Sequence, residues 1–292
     1  MARTISIVGA GRVGRTLAHR LRQLGWRIGA VVTQSKKTSR AAVRAIGGGT
    51  PHASLTREAL AADIILVTTP DGMLATVARS LAKFSGENYG GKIALHTSGA
   101  LDRSVLSPLA RRGASTGSLH PMQTFSGRGA PQLAGVIFAV EGDRAALRAA
   151  QKIARSLGGV PVTVRGANKP AYHAAGALVA GHSLALAEAA TRILVKLGFS
   201  RRRALEALLP LIRQMLDNYE QLGPQAAWTG PIARGDYSTV AKHGRALRRY
   251  PREINDSYAA LALLAARVLS KQPAITRKKI QRALKNSRGG TN

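Results

Sequence analysis

The chain has 292 residues, a hydrophobic fraction of 45% and a formal net charge of +30. This length predicts two domains, because a domain ordinarily holds about 100–200 residues, and the apolar fraction excludes a chain that is disordered throughout. The chain contains no cysteine, which excludes disulfides, thiolate catalysis and metal sites built on cysteine. No uninterrupted apolar run reaches the ~18 residues of a membrane span, so we expect a cytoplasmic protein without a membrane partner.

Strand and helix patterns alternate over the first 165 residues. Apolar strand patterns occur at residues 4–8, 27–33, 64–69, 93–96, 136–140 and 162–164. Helical patterns occur between them at residues 13–24, 39–46, 73–84 and 144–157. This alternation predicts an α/β domain over residues 1–165, a Rossmann-like doubly wound parallel sheet.

Strand patterns disappear after residue 166. Helical patterns follow at residues 170–197, 201–222, 236–249 and 251–269, which predicts an all-helical domain over 166–270. Its wide Ala- and Leu-rich faces predict a homodimer through this domain. Residues 271–292 contain many cations and no acid, so we expect a basic tail that is either a frayed helix or disordered and that could contact nucleic acid.

A glycine fingerprint directly follows the first strand and opens the first helix. The fingerprint G-x-G-x-x-G comprises Gly9, Ala10, Gly11, Arg12, Val13 and Gly14. In this place the first glycine permits a tight turn, the second lets the backbone approach a pyrophosphate, and the third lets helix and strand pack closely. The helix N-terminus supplies unpaired N–H groups for the phosphates. The fingerprint therefore predicts a dinucleotide cofactor.

The end of the second strand favours NADP over NAD. An acid at this position would bind the ribose 2′-hydroxyl of NAD, but here Thr33, Ser35 and Lys36 occur without one. Together with Arg12 they can surround a 2′-phosphate; the alternative is that the lysine is only a solvated loop charge. Thr69 and Pro70, which end the next strand pattern, are expected to line the same crevice.

Three polar clusters could carry catalysis. The first, around His96 and Ser98, is expected near the nicotinamide, and the second contains His120. The third opens the long helix, where Lys169 and His173 share one helical face because they lie four residues apart. Either of these two, or His120, could protonate the atom formed when hydride reaches a C=O or C=N carbon. For each of them a purely structural role is the alternative.

A fourth segment is a Gly/Pro-rich loop that runs into a helix, and it suits a substrate carboxylate. Its candidate substrate-binding residues are Thr229, Gly230, Arg234 and Asp236; the alternative is a plain loop in which Asp236 caps the helix. No close His–carboxylate pairing predicts a metal site. Ser98 lies outside a G-x-S-x-G elbow, which disfavours a serine hydrolase.

These motifs in this order resemble a bacterial family of Rossmann-like proteins that carry the domain of unknown function numbered 2520. The resemblance rests on the fingerprint, Thr-Pro-Asp, His-x-Ser-Gly, Ser-Leu-His-Pro-Met-Gln-Thr-Phe, Lys-x-x-Tyr-His-Ala-Ala and Thr-Gly-Pro-Ile-x-Arg-Gly-Asp, and covers about residues 4–269. The family is similar in layout to pyrroline-5-carboxylate reductase and β-hydroxyacid dehydrogenases, which implies NADP or NAD. In position, Lys169 matches the helix-start lysine of the dehydrogenases, and His173 stands where they have asparagine.

The sequence thus predicts an NADP-dependent oxidoreductase that acts on a small anionic carbonyl or imine, of the keto acid or cyclic imine type. In this prediction Arg234 holds the anionic group of the substrate. The alternative is a non-catalytic NADP-binding sensor or scaffold whose basic tail contacts polyanions. The residues do not decide which of Lys169, His120 and His173 is the proton donor.

Overall fold

The computed structural model describes residues 4–84, 86–127, 129 and 131–286. The chain divides into two compact units, Met1–Gly181 and His182–Asn292, so the division falls later than the boundary expected after residue 165. The strands of the first unit are β1 (Thr4–Val8), β2 (Arg27–Val32), β3 (Thr50–His52), β4 (Ile64–Val67), β5 (Ile93–His96), β6 (Ser115–Pro121), β7 (Ile137–Gly142) and β8 (Val160–Thr163).

These strands form one sheet in the order β3-β2-β1-β4-β5-β6-β7-β8. Neighbouring strands are parallel except β6 and β7, which are antiparallel. The helices of this unit are α1 (Arg12–Gln23), α2 (Lys36–Ile46), α3 (Glu58–Ala61), α4 (Asp71–Ala82), α5 (Ser107–Ala110), α6 (Arg144–Ser156) and α7 (Lys169–Ala177). The predicted Rossmann-like sheet, followed by a helical region, is confirmed.

Strand β4 shows why helices cover both faces of the sheet. Ile64 and Leu66 are buried in one apolar core, while Ile65 and Val67 are buried in another. Neighbouring side chains of a strand lie on opposite faces, so an uninterrupted apolar strand requires cover on both. The first core contains side chains of α1, α2 and α6, and the second contains those of α3, α4 and α5.

The sequence analysis missed two strands, β3 and β6. Strand β3 has only three residues, and its central residue is a proline at the sheet edge. Strand β6 begins Ser-Thr-Gly-Ser, a polar and flexible composition with no apolar alternation. It forms nevertheless because β5 and β7 pair with it on both sides. Tertiary pairing overrides a weak local preference here.

The second unit is helical. Its helices are α8 (Ser183–Lys196), α9 (Arg201–Ala227), α10 (Tyr237–Leu247), α11 (Arg252–Val268) and α12 (Pro273–Asn286). A π-helical turn, Leu178–His182, stands between α7 and α8. Within α9 the residue with non-helical backbone angles is Gly223, and Pro210 lies inside the helix.

Of the two forms expected for the tail from residue 271, a frayed helix or a disordered segment, the described part is helical, and it is packed rather than frayed. Residues 273–286 form α12, in which Thr276, Ile280 and Ala283 are buried. The spacing of these three residues places them on one helical face. This face packs against α10 and α11, and the cations lie on the exposed surface of the helix. Residues 287–292 lie outside the described residues.

One helical stretch, Gly166–Lys196, is long and apolar enough to cross a membrane by length and composition alone. Its most apolar 18-residue window has a mean hydropathy of 1.3, and 6% of that window is buried. The stretch is not an uninterrupted apolar run, because polar residues are scattered through it, but they do not lower its mean hydropathy enough to exclude it by this measure. A soluble protein can also contain a helix of this composition if a partner covers it.

Candidate functional site

The predicted glycine turn lies directly after β1 and has the close contacts that its glycines allow. Gly9 has a φ of +88°, its N–H donates to Val32 O at 2.9 Å, and its carbonyl accepts from Thr68 Oγ1 at 2.6 Å. A Cβ atom at Gly14 would lie 2.2 Å from the same threonine oxygen. The first and third glycines therefore have the predicted structural roles.

The N-terminus of α1 is free to bind an anion. The helix begins after Gly11 without a side-chain cap and without an acid in its first turn. A Cβ atom at Gly11 would have only Gly9 O within 4 Å, at 3.9 Å, so space is open above the backbone. Nearby, Thr69 Oγ1 is buried and has no hydrogen-bond partner among the described residues. A cofactor phosphate or amide could satisfy both groups.

The loop after β2 uses its hydroxyl groups to cap α2. Ser35 Oγ accepts from Thr38 N–H at 3.2 Å, and the hydroxyl groups of Thr33 and Thr38 lie 2.7 Å apart. Lys36 begins α2, is exposed and forms no ion pair within the described chain. Of the residues predicted to surround a 2′-phosphate, this lysine is therefore the most available.

Lys169 lies inside the protein rather than at an open surface. It is fully buried, and its Nζ donates to Ser98 O at 3.0 Å and to Ser118 Oγ at 2.8 Å. Burial lowers the pKa of Lys169, while Glu141, Asp102 and Asp71 raise it. The lysine links the loop after β5 to β6, which makes it a positioning residue rather than a group that contacts substrate.

His96 and Ser98 are also fully engaged. His96 Nδ1 accepts from Ser98 N–H at 3.2 Å, so its Nε2 donates to Asp102 O at 3.1 Å. Burial and, next, the charge of Lys169 lower the pKa of His96 to about 4. Ser98 Oγ donates to Asp71 Oδ2 at 2.8 Å and accepts from two backbone N–H groups of its own loop. A structural role thus explains the contacts of His96 and Ser98 better than a catalytic role does.

His120, near the end of β6, lies at the edge of this buried network. It is partly buried, and its Nδ1 lies 3.0 Å from the hydroxyl of Tyr172 on α7. Burial, then the charges of His173 and Lys169, lower the pKa of His120 to about 4. Burial raises the pKa of Tyr172 to about 12. At neutral pH both side chains are therefore uncharged.

On its Nε2 side, His120 lies beside Gly99 and His173. The two imidazole rings are T-shaped with centroids 5.6 Å apart, and His173 is exposed. A Cβ atom at Gly99 would lie 2.8 Å from His120 Nε2 and 2.5 Å from His173 Cδ2. Only glycine leaves room for both rings here. The first unit thus brings together His120, His173 and, behind them, Lys169.

The sequence analysis did not select Tyr172 and Asp71 as site residues. Both were visible in its motifs, but only the fold shows that they contact His120 and Ser98 respectively. Helical spacing gives no signal for a tyrosine that contacts a strand 52 residues earlier. Among the residues that the structure describes, no group of three or more His, Cys, Asp or Glu side chains could hold a metal ion.

The loop predicted to bind substrate belongs to the second unit. Asp236 is the N-cap of α10: its carboxylate accepts from Thr239 N–H at 3.1 Å and from Ser238 Oγ at 2.9 Å. Gly230 has a φ of +99°, and Thr229 and Arg234 are exposed. The capping role that the sequence left open for Asp236 is observed, which leaves the arginine as the available group.

Two family models match consecutive parts of this chain. A Rossmann-like domain matches residues 2–121, and the domain of unknown function DUF2520 matches residues 136–265. The chain thus combines a Rossmann-like domain with a DUF2520 domain. A comparison of this DUF2520 protein with curated sequences gives no match.

The DUF2520 protein is similar in fold to several solved enzymes. A candidate NADP oxidoreductase from Bacteroides fragilis has a TM-score of 0.75 at 21% identity, with 95% of this chain and 98% of that chain covered. Pyrroline-5-carboxylate reductase from Streptococcus pyogenes has a TM-score of 0.61 at 16% identity, with 97% and 99% covered. A reductive aminase from Aspergillus terreus, solved with NADPH and ethyl-5-oxohexanoate, has a TM-score of 0.61 at 18% identity, with 100% and 97% covered. At such identities the likeness establishes the fold.

Proposed function

We propose that this DUF2520 protein is an NADP-dependent oxidoreductase acting on a small carbonyl or imine compound. The observation that carries the proposal is the uncapped N-terminus of α1 beside an unpartnered buried hydroxyl on Thr69. The names of the structural neighbours, an NADP oxidoreductase and an NADPH-bound reductive aminase among them, support the same cofactor.

The residues present fit a dinucleotide. The backbone of Gly9–Gly14 would hold the pyrophosphate, and Thr69 with Pro70 would border the nicotinamide half. When bound, NADPH supplies a hydride to the carbon that is reduced. The chain itself has to position the substrate, exclude competing water and stabilise the charge that develops.

NADP is favoured over NAD because cations and no acid follow β2. The first turn of α2 carries Lys36 and Lys37 and no acid. An exposed cation beside a 2′-phosphate typically contributes about 1 kcal/mol or somewhat more. We expect Lys36→Glu to weaken NADPH binding about tenfold and to leave NADH binding nearly unchanged.

His120 is the best placed of the three proton-donor candidates to touch substrate. Lys169 is fully buried, and His173 is exposed beside the ring of His120. Arg234 is our candidate for holding an anionic group of the substrate, which predicts that Arg234→Gln raises KM with little change in kcat.

Cofactor titration tests the proposed function directly. NADPH and NADH are each titrated by fluorescence at fixed ionic strength, because a chain of charge +30 attracts any polyphosphate. In Gly11→Asp the new carboxylate occupies open space without disturbing the fold. Because it stands where the pyrophosphate would bind, the affinity for NADPH should fall at least about tenfold. Gln23→Glu, at the far end of α1, makes the same change in net charge and should bind normally. Absence of saturable binding, or equal loss in both variants, contradicts the proposal.

We also propose that α8 and α9 form a homodimer interface. The following apolar side chains on and between these helices are at least 40% exposed: Leu184, Leu186, Val195, Leu197, Phe199, Leu209, Leu211, Met215, Leu216, Tyr219 and Leu222. Together they expose on the order of 1,000 Å² per chain, whereas a standard interface buries ~800 Å² on each partner. A second copy is the occupant we favour, because an area of this size matches a complete interface.

Light scattering tests this interface. The expected mass is twice the 30.7 kDa of the chain, and Leu211→Glu should reduce it to a single chain mass. A wild-type monomer, or co-sedimentation with neutral lipid vesicles in place of dimerisation, would contradict the proposed interface.

A further inference from the structure

The hydrogen bond from Tyr172 determines which nitrogen of His120 carries the hydrogen. The phenol oxygen lies 3.0 Å from Nδ1, and, although burial raises the pKa of this phenol, a backbone hydrogen bond from Ala139 lowers it, as a donor N–H does. With the oxygen accepting from the backbone, the phenol hydrogen is left for Nδ1, and this arrangement assigns the hydrogen of the neutral imidazole to Nε2. Nε2 lies on the opposite side of the ring, next to Gly99. His120 therefore presents an N–H donor, not a lone pair, on the side where Gly99 and the exposed His173 lie.

The charges around this N–H group are positive or neutral. His96, Tyr172 and His173 surround His120, and the ammonium of Lys169 lies behind it. The charges that act on His120 come from His173 and Lys169, and both lower its pKa after burial does.

The nearby acids are engaged elsewhere. Asp71 accepts from Ser98 Oγ, Asp102 accepts from Ser104 N–H at 2.9 Å, and Glu141 accepts from Arg103 N–H at 2.9 Å. All three acids act on buried Lys169. Among the described residues, the charges that act on His120 therefore come from His173 and Lys169 and not from these acids.

We infer that this site reduces a carbonyl compound rather than an iminium ion, with the carbonyl oxygen bound by His120 Nε2–H. The inference rests on the proposed function. Reduction of a carbonyl places negative charge on oxygen, which an N–H donor and a nearby ammonium group stabilise. Reduction of an iminium begins with a positive nitrogen, which the same surroundings disfavour.

The reaction balances with NADPH and water as co-reactants. Hydride joins the carbonyl carbon, so that a C–H bond forms, the carbonyl is reduced and NADPH is oxidised to NADP⁺. The electron pair of the C=O π bond moves to oxygen, which then takes a proton from water at the exposed side near His173, and the hydroxide left by that water passes to solvent. His120 touches the reacting oxygen and is a catalytic residue, whereas Tyr172 acts through it as a positioning residue.

A matched pair of five-carbon acids tests the inference with the full chain. We expect 2-oxopentanoate to be reduced by NADPH with a kcat/KM at least about 100-fold above that of 1-pyrroline-2-carboxylate. Preference for the cyclic imine would overturn the inference. NADPH binding is measured separately. A protein that does not bind NADPH contradicts the proposed function, whereas a protein that binds NADPH and prefers the imine contradicts only the inference.

A spectroscopic readout keeps the test independent of turnover. In the presence of NADP⁺, 2-hydroxypentanoate should shift the ¹⁵N resonance of His120 Nε2, and proline, whose amine is cationic, should not. A shift with proline alone, or with neither compound, overturns the inference.

Two further variants separate catalysis from positioning. Tyr172→Phe should let His120 populate both neutral tautomers in its ¹⁵N spectrum and lower kcat about tenfold with KM and NADPH affinity unchanged. His120→Gln retains a donor and should keep more activity than His120→Leu. An unchanged tautomer in Tyr172→Phe would overturn the positioning role.

Discussion

Replacement of Lys169 by methionine separates a structural from a catalytic role for this lysine. Methionine has a similar volume, so Lys169→Met removes the ammonium group without opening a large cavity. Ser98 O and Ser118 Oγ lose their donor, and the carboxylate of partly buried Glu141 loses a nearby cation. Each buried acceptor left unsatisfied costs about 1–3 kcal/mol, and relief of the buried charge offsets part of this cost. We expect the free energy of unfolding to fall by about 2–4 kcal/mol.

Urea denaturation followed by circular dichroism measures this change, with Lys37→Met as the control. Lys37 is exposed and has no ion pair within the described residues, so its replacement should change stability by less than about 0.5 kcal/mol. In the same Lys169→Met sample, the pKa of His120 should rise, because the lysine charge helps to hold it down. An unfolding midpoint equal to that of the wild type would refute the buried role.

Three other predictions follow from the same structure. The pKa of His96 and of His120 is about 4, below the ordinary value of 6.5, so both imidazoles are held neutral in the folded protein. The stability that each contributes above pH 6.5 is therefore lost as the pH falls toward 4, and the urea midpoint of unfolding should drop across this window. A flat profile would contradict neutral, buried imidazoles. Gly99→Ala should leave the unfolding free energy within about 1 kcal/mol, because flexible side chains can move, yet it should displace both imidazoles and shift their NMR resonances; unshifted resonances would count against the contact. Asp236→Ala should cost about 1 kcal/mol by removing the cap of α10, whereas Asp236→Asn should retain most of it, and equal losses would argue against capping.

The local sequence was sufficient wherever one residue pattern dictates one backbone geometry. The glycine fingerprint after β1, the apolar run of β4 and the cap at Asp236 each depend on neighbours within a few positions, and all three are present. By contrast, β6 forms only because β5 and β7 pair with its polar residues. In α12, the net charge of the segment concealed a short apolar stripe that packs against α10 and α11.

The candidate site shows the same division. The sequence could name Lys169, His120 and His173, because their residue types suit proton transfer. It could not rank them, since burial and hydrogen-bond partners depend on contacts between residues that are 50 or more positions apart. The fold encloses Lys169 and places the hydroxyl of Tyr172 within hydrogen-bond distance of His120 Nδ1. The sequence therefore determined which residue types are present for proton transfer. The tertiary structure decided which of them are buried and which charges surround His120.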